Sequence, residues 1–112
     1  MRQVSHADLS ACTRLLWCNP VQDWPEIIET ILTCAEAADR FRKHFGRLHG
    51  VWGDGTVAGY IGANFILPPE PCLSAPGYIE AQLAFLHAVL KWRQQQKRMS
   101  AHGLPIFFPA LI

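Results

Sequence analysis

The chain has 112 residues, half of them apolar and only 17% charged, with a formal net charge of +1. A length of this order fits one domain, read as residues 1–112, whose core needs no disulfide or metal to hold it. The near-neutral balance argues against a nucleic-acid-binding surface, and the apolar content excludes a disordered chain. Charged residues usually make up about a quarter of a soluble domain. The surplus apolar surface is therefore expected either in an unusually complete core or against a partner. The longest nearly apolar run, Val57 to Leu67, includes Asn64 and falls well short of the ~20 residues that span a bilayer. Met1 to Leu9 lacks the apolar stretch of a signal peptide. Cys12, Cys18, Cys34 and Cys72 form no Cys-x-x-Cys pair. Reduced thiols and a cytoplasmic location are the expectation.

The first predicted element is a helix from about Ser5 to Cys18. Ser5 followed by Asp8 resembles a capping box, and Leu9, Cys12, Leu15 and Leu16 recur at helical spacing. Asn19-Pro20 ends it, because the residue before a proline is pushed out of the α region. A second helix is expected to start at Asp23 as N-cap, with Pro25 in its first turn. Ile27, Ile31, Cys34, Ala38, Phe41 and Phe45 then alternate steps of four and three and form its predicted core stripe. Glu36 and Arg40, like Asp39 and Lys43, stand at the ion-pairing i, i+4 spacing on the other faces. Gly46 supplies the C-terminal stop.

Arg47 to Thr56 reads as a glycine-rich loop. Val57 to Leu67 fits a short helix capped by Thr56 and packed through Gly59, Gly62 and Ala63, with a small hairpin around 51–67 as the alternative. Three prolines between Pro68 and Pro71 predict an extended connector. Ser74 then offers an N-cap to a helix running to about Arg98, whose predicted core stripe is Ile79, Leu83, Leu86 and Leu90, widened by Phe85 and Val89. Beyond Gly103 comes an apolar tail that two prolines keep out of a regular helix.

Few residue groupings carry chemistry. His44, His49, Trp52 and Asp54 gather in the glycine-rich loop and are the candidate small-ligand residues. Nitrogen and oxygen ligands of this kind also suit a metal, but their spacing matches no zinc or iron motif. Gly53-Asp54-Gly55-Thr56 before a helix lacks the lysine of a phosphate-binding loop, and Asp54 would repel an anion, so turn formation is the better account. Cys12 and Cys34 sit on predicted core stripes, and neither Cys18 nor Cys72 is paired with a histidine in sequence. No catalytic residue, cofactor or resident metal is predicted. The basic residues near the ends of the two long helices read as solvated helix termini. The tail residues Leu104, Ile106, Phe107, Phe108 and Leu111 are the candidate interface, either closing over the chain's own core or docking on a second copy or another protein.

The stretch from Glu36 to His49, followed by Trp52-Gly53-Asp54-Gly55-Thr56, resembles a family of small uncharacterised proteins from alphaproteobacteria, and Met1 to Asp8 looks similar as well. The resemblance implies a bacterial, cytoplasmic protein and brings no functional residue to carry over. The expected fold is all-α: a compact bundle of three to four helices with an apolar C-terminal tail, or, as the alternative, an α+β domain with the hairpin near 51–67. The expected function is a non-enzymatic protein–protein interaction module, self-associating or heterotypic. A ligand- or metal-binding, even enzymatic, domain built on the 44–56 loop is the alternative.

Overall fold

A computed structural model describes residues 1–101, with side chains through Lys97. Four α-helices are present among the described residues: α1 (His6–Trp17), α2 (Trp24–Phe45), α3 (Val57–Asn64) and α4 (Pro76–Ala101). A 3₁₀ turn, Val21–Asp23, leads into α2. No strand forms among them, only an isolated antiparallel bridge between His49 and Gly53. The all-α reading therefore stands. The hairpin alternative fails because the start of α3 is capped twice. Thr56 Oγ1 accepts from Gly59 N at 2.9 Å, and Asp8 Oδ1 accepts from Ala58 N at 2.8 Å. Satisfying these orphan donors favours a helix where an apolar, β-branched run alone is ambiguous.

The same Asp8 opens α1. Its Oδ2 accepts from Ser5 N at 2.8 Å while Ser5 Oγ accepts from Asp8 N, the reciprocal arrangement expected of a capping box. At the far end, Asn19 Nδ2 donates to Leu15 O and Trp24 Nε1 to Leu16 O, each at 2.8 Å. The first residue of α2 thus closes the last turn of α1. Asp23, the expected N-cap, makes no capping bond. Asp23 N already donates to Pro20 O, so its backbone is helical one residue early instead of in the extended conformation that a capping side chain needs. Ser74 is displaced likewise: α4 begins at Pro76, Ala75 O accepts from Ile79 N, and the Ser74 hydroxyl meets Cys72 Sγ.

One cluster of buried side chains joins the helices, drawing Cys12, Leu15 and Leu16 from α1, Ile28, Ile31, Leu32 and Ala35 from α2, Val57 and Ile61 from α3, and Ala81, Phe85 and Val89 from α4. Two predicted stripes are corrected by it. On α2, Ile31 and Ala38 are buried as expected, but Ile27, Cys34 and Phe41 are half-buried and Phe45 is exposed. The buried face is turned toward Trp24, Ile28, Leu32 and Ala35. On α4, Phe85 and Val89 are buried as expected, but the four aliphatics they were to widen are not. Tyr78, Ala81, Phe85 and Val89 are buried, whereas Ile79, Leu83, Leu86 and Leu90 are 41%, 50%, 44% and 60% exposed. α4 carries two apolar stripes at helical spacing on opposite sides. The stripe containing Ala81, Ala84 and Ala88 lets neighbouring helices approach closely enough to bury its aromatics, which the four-aliphatic stripe does not.

The connector after α3 is pinned rather than loose. Arg14 Nε donates to Pro68 O at 2.7 Å, and Glu70 Oε2 accepts from both Ser10 Oγ and Tyr78 Oη. Burial, and then the carboxylate of Glu70, push the Tyr78 hydroxyl up to about 12.

Candidate functional site

The glycine-rich loop is built around its own side chains. His49 is buried, and its Nδ1 accepts from Val51 N at 3.1 Å and Trp52 N at 2.9 Å. Its ring stacks on Trp52 at 4.5 Å and meets the edge of Phe41 at 5.0 Å. Asp54 Oδ1 accepts from Thr56 N and, at 2.6 Å, from Thr56 Oγ1. The Thr56 hydrogen bonds above all hold the Asp54 carboxyl below its usual range. Of the four candidate ligand residues, then, His49 and Trp52 lie together, Asp54 belongs to the cap of α3, and His44 stands exposed on the last turn of α2 against Phe45. No three His, Cys, Asp or Glu side chains among the described residues converge to hold a metal ion. Gly59 packs as expected, since a Cβ there would stand 2.4 Å from Asp54 Oδ1, but Gly62 faces open space.

Beneath this loop lies a buried carboxylate that the amphipathic pattern of α2 assigned to the surface. Asp39 is 1% exposed. Its Oδ1 accepts from Arg42 at 2.9 Å, and its Oδ2 pairs with Lys43 at 3.0 Å and with the Met1 ammonium at 3.3 Å. Glu36 joins the cluster through Arg40 and Met1. Gly55, at φ 96°, sits directly on it: a Cβ there would approach Asp39 Cβ to 2.7 Å. Burial by itself would raise the Asp39 carboxyl, but the hydrogen bonds from Lys43 and Arg42 and the nearby ammonium outweigh it and hold it down to about 2. A depressed carboxylate stabilises the fold above its unfolded value near 4, and that contribution is lost as pH falls from about 4 to 2. It should amount to roughly 1–2 kcal/mol once screening of the exposed Lys43 is allowed for. Urea unfolding of wild type and Asp39→Asn should therefore differ at pH 7 and converge toward pH 2.5. Parallel curves over that range would rule the assignment out.

The exposed thiol of Cys72 meets Ser74 Oγ at 3.1 Å, a contact that lowers its pKa. Cys12 is buried at the α1 core, where burial pushes its pKa up to about 12, and Cys18 and Cys72 are exposed at element ends. A groove of about 470 Å³ between α2 and α4 is lined by Trp24, Ile28, Leu32, Ala84, Ala88 and Trp92, among others, and the buried Nε1 of Trp92 has no hydrogen-bond partner among the described residues.

The feature that stands out is the outward face of α4. Ile79, Leu83, Leu86 and Leu90 follow steps of four, three and four, so they form one continuous apolar strip about three turns long. Glu80 and His87, both exposed, border one edge of it, and Lys91, also exposed, lies further round on the same side, at the groove with α2. A second apolar stripe on the same helix (Tyr78, Ala81, Phe85, Ala88, Val89, Trp92) was the sequence signal that one of the two had to remain outside. The tail residues Leu104, Ile106, Phe107, Phe108 and Leu111, the predicted interface, lie outside the described residues.

Fold and surface together define an all-α bundle in which α4 presents an apolar face that none of the described residues covers. The chain belongs to the family described as a domain of unknown function, DUF7742, whose model matches residues 2–89. The match takes in α1 to α3 and α4 as far as Val89. No curated protein and no solved structure matches the chain.

Proposed function

We propose that this protein is a non-enzymatic interaction module that binds a protein surface through the outward face of α4. The observation carrying this reading is the exposure of Ile79, Leu83, Leu86 and Leu90 in one strip. Single exposed aliphatics are ordinary, but a contiguous strip on a regular helix matches the anchors by which helices dock on partners. The apolar residues Leu104, Ile106, Phe107, Phe108 and Leu111 are assigned to the same role on their composition. No described helix is long and apolar enough to cross a membrane. Arg40, Arg42 and Lys43 engage Glu36 and Asp39, and Arg47 lies over the Phe41 ring, which favours a protein partner over a nucleic acid. A bacterial cytoplasm is the setting that the family resemblance implies.

The alternative, a ligand site at His44, His49, Trp52 and Asp54, is less well supported, because the acceptors of His49 and Asp54 serve the loop's own backbone. The test is photo-crosslinking in the host cell from a photoreactive phenylalanine analogue at position 86, with one at Gln22 as control. A discrete adduct from position 86 alone is expected. Equal or absent crosslinking at the two positions would defeat the reading.

A further inference from the structure

Resting on that reading, we infer that the partner of this face is a second copy of the chain, its α4 packed antiparallel against the first. The spacing of the strip permits an antiparallel contact, and the charges beside it select that orientation over a parallel one. Steps of four, three and four are symmetric about the point between Ala84 and Phe85. A two-fold axis there sets Leu83 against the partner's Leu86 and Ile79 against the partner's Leu90, the isologous contact of a C2 dimer. Every large side chain of the strip then meets another, with no aliphatic left opposite a charge.

The border residues agree with this orientation and oppose the other. Helical geometry places Glu80, His87 and Lys91 on the same side of the strip. A two-fold axis perpendicular to both helices brings like sides together, so Glu80 comes beside the partner's His87, with the partner's Lys91 on the same flank within reach of its long side chain, and the pairing occurs twice. A parallel arrangement would instead align the basic ends of the two helices, placing Lys91, Arg93 and Lys97 beside their counterparts in the partner. That costs electrostatic energy and also aligns the helix dipoles. Antiparallel packing separates the basic ends and opposes the dipoles.

The strip itself is small beside a standard interface of roughly 800 Å² per partner. The dimer should accordingly be a reversible one, with a dissociation constant on the order of micromolar.

Sedimentation velocity of the full chain between about 1 and 200 µM is the test, run at low and physiological salt. A concentration-dependent monomer–dimer equilibrium is expected. Leu86→Glu should leave the circular dichroism unchanged, because the side chain lies outside the core, and should raise the dissociation constant at least thirtyfold. Glu80→Lys should weaken the dimer by about three- to tenfold, from two symmetric surface pairs, and Lys91→Glu added to it should restore the affinity. That rescue is particular to the antiparallel pairing, so its failure overturns the proposed orientation. A chain that stays monomeric throughout overturns the dimer. A monomer that dimerises only when shortened to end at Ala101 overturns it too, naming the apolar tail as the occupant of the strip. The wider reading fails separately, when position 86 gives no adduct of any mass. An adduct with a different protein, together with a monomer in solution, removes the homotypic contact and leaves the interaction module standing.

Discussion

Phe85→Ala should destabilise the protein by about 3–5 kcal/mol, whereas Leu86→Ala, one residue along, should cost less than about 1 kcal/mol. Phe85 is fully buried in the core on a helix that packs against α1 and α2, while Leu86 is 44% exposed. Truncating the first removes the transfer energy of an aromatic ring and leaves a cavity that the surrounding helices cannot fill. Truncating the second exposes no new core surface. The comparison is made by urea denaturation at a few micromolar or below, where the free monomer dominates and association does not add to the cost of the Leu86 change. A reversed order, with Leu86→Ala the costlier, would mean that α4 is rotated by nearly half a turn from the orientation described. The strip would then be core, and the interaction module would lose its surface.

Asp8→Ala is the second large effect, expected at about 2–4 kcal/mol. Asp8 is 2% exposed and holds the beginnings of two helices at once, α1 through Ser5 N and Ser5 Oγ, and α3 through Ala58 N. Losing an N-cap typically costs about 1 kcal/mol, and each buried donor left without a partner adds about 1–3 kcal/mol, less what water recovers. Asp8→Asn keeps the shape and one acceptor oxygen, so it should fall between wild type and alanine. Ser5→Ala loses only the α1 side of the cap and should cost about 1 kcal/mol. If Asp8→Ala proved no worse than Ser5→Ala, the bond to Ala58 N would contribute nothing, and α3 would owe its position to packing alone.

The contrast between these two residues shows where sequence reasoning reaches its limit. Asp8 was legible as a cap of α1, because a capping box is a local pattern read over four residues. Its second role was not, because Ala58 is fifty residues away and nothing in either segment names the other. Asp39 misled for a related reason. Its i, i+4 relation to Lys43 reads as a surface ion pair, and the pair does form. Yet Gly55 packing directly on it, with the amino terminus alongside, buries the carboxylate and makes it a structural anchor. In the loop, the glycines and Asp54-Gly55 foretold turns, but not that His49 would be buried there, stacked on Trp52 and edge-on to Phe41.

What the sequence determined by itself was the all-α class, the approximate extent of each helix, and the Ser5, Thr56 and Gly46 caps. These depend on periodicity and on hydrogen bonds within a few residues, which a linear chain displays directly. Only the tertiary structure decided which of two apolar stripes on α4 is core. Both stripes repeat at helical spacing and both are hydrophobic, so transfer energy hardly distinguishes them. The choice falls to close packing, which depends on the shapes of α1 and α2 and favours the face where small alanines let aromatic rings sink between neighbours. The aliphatic face is left exposed among the described residues.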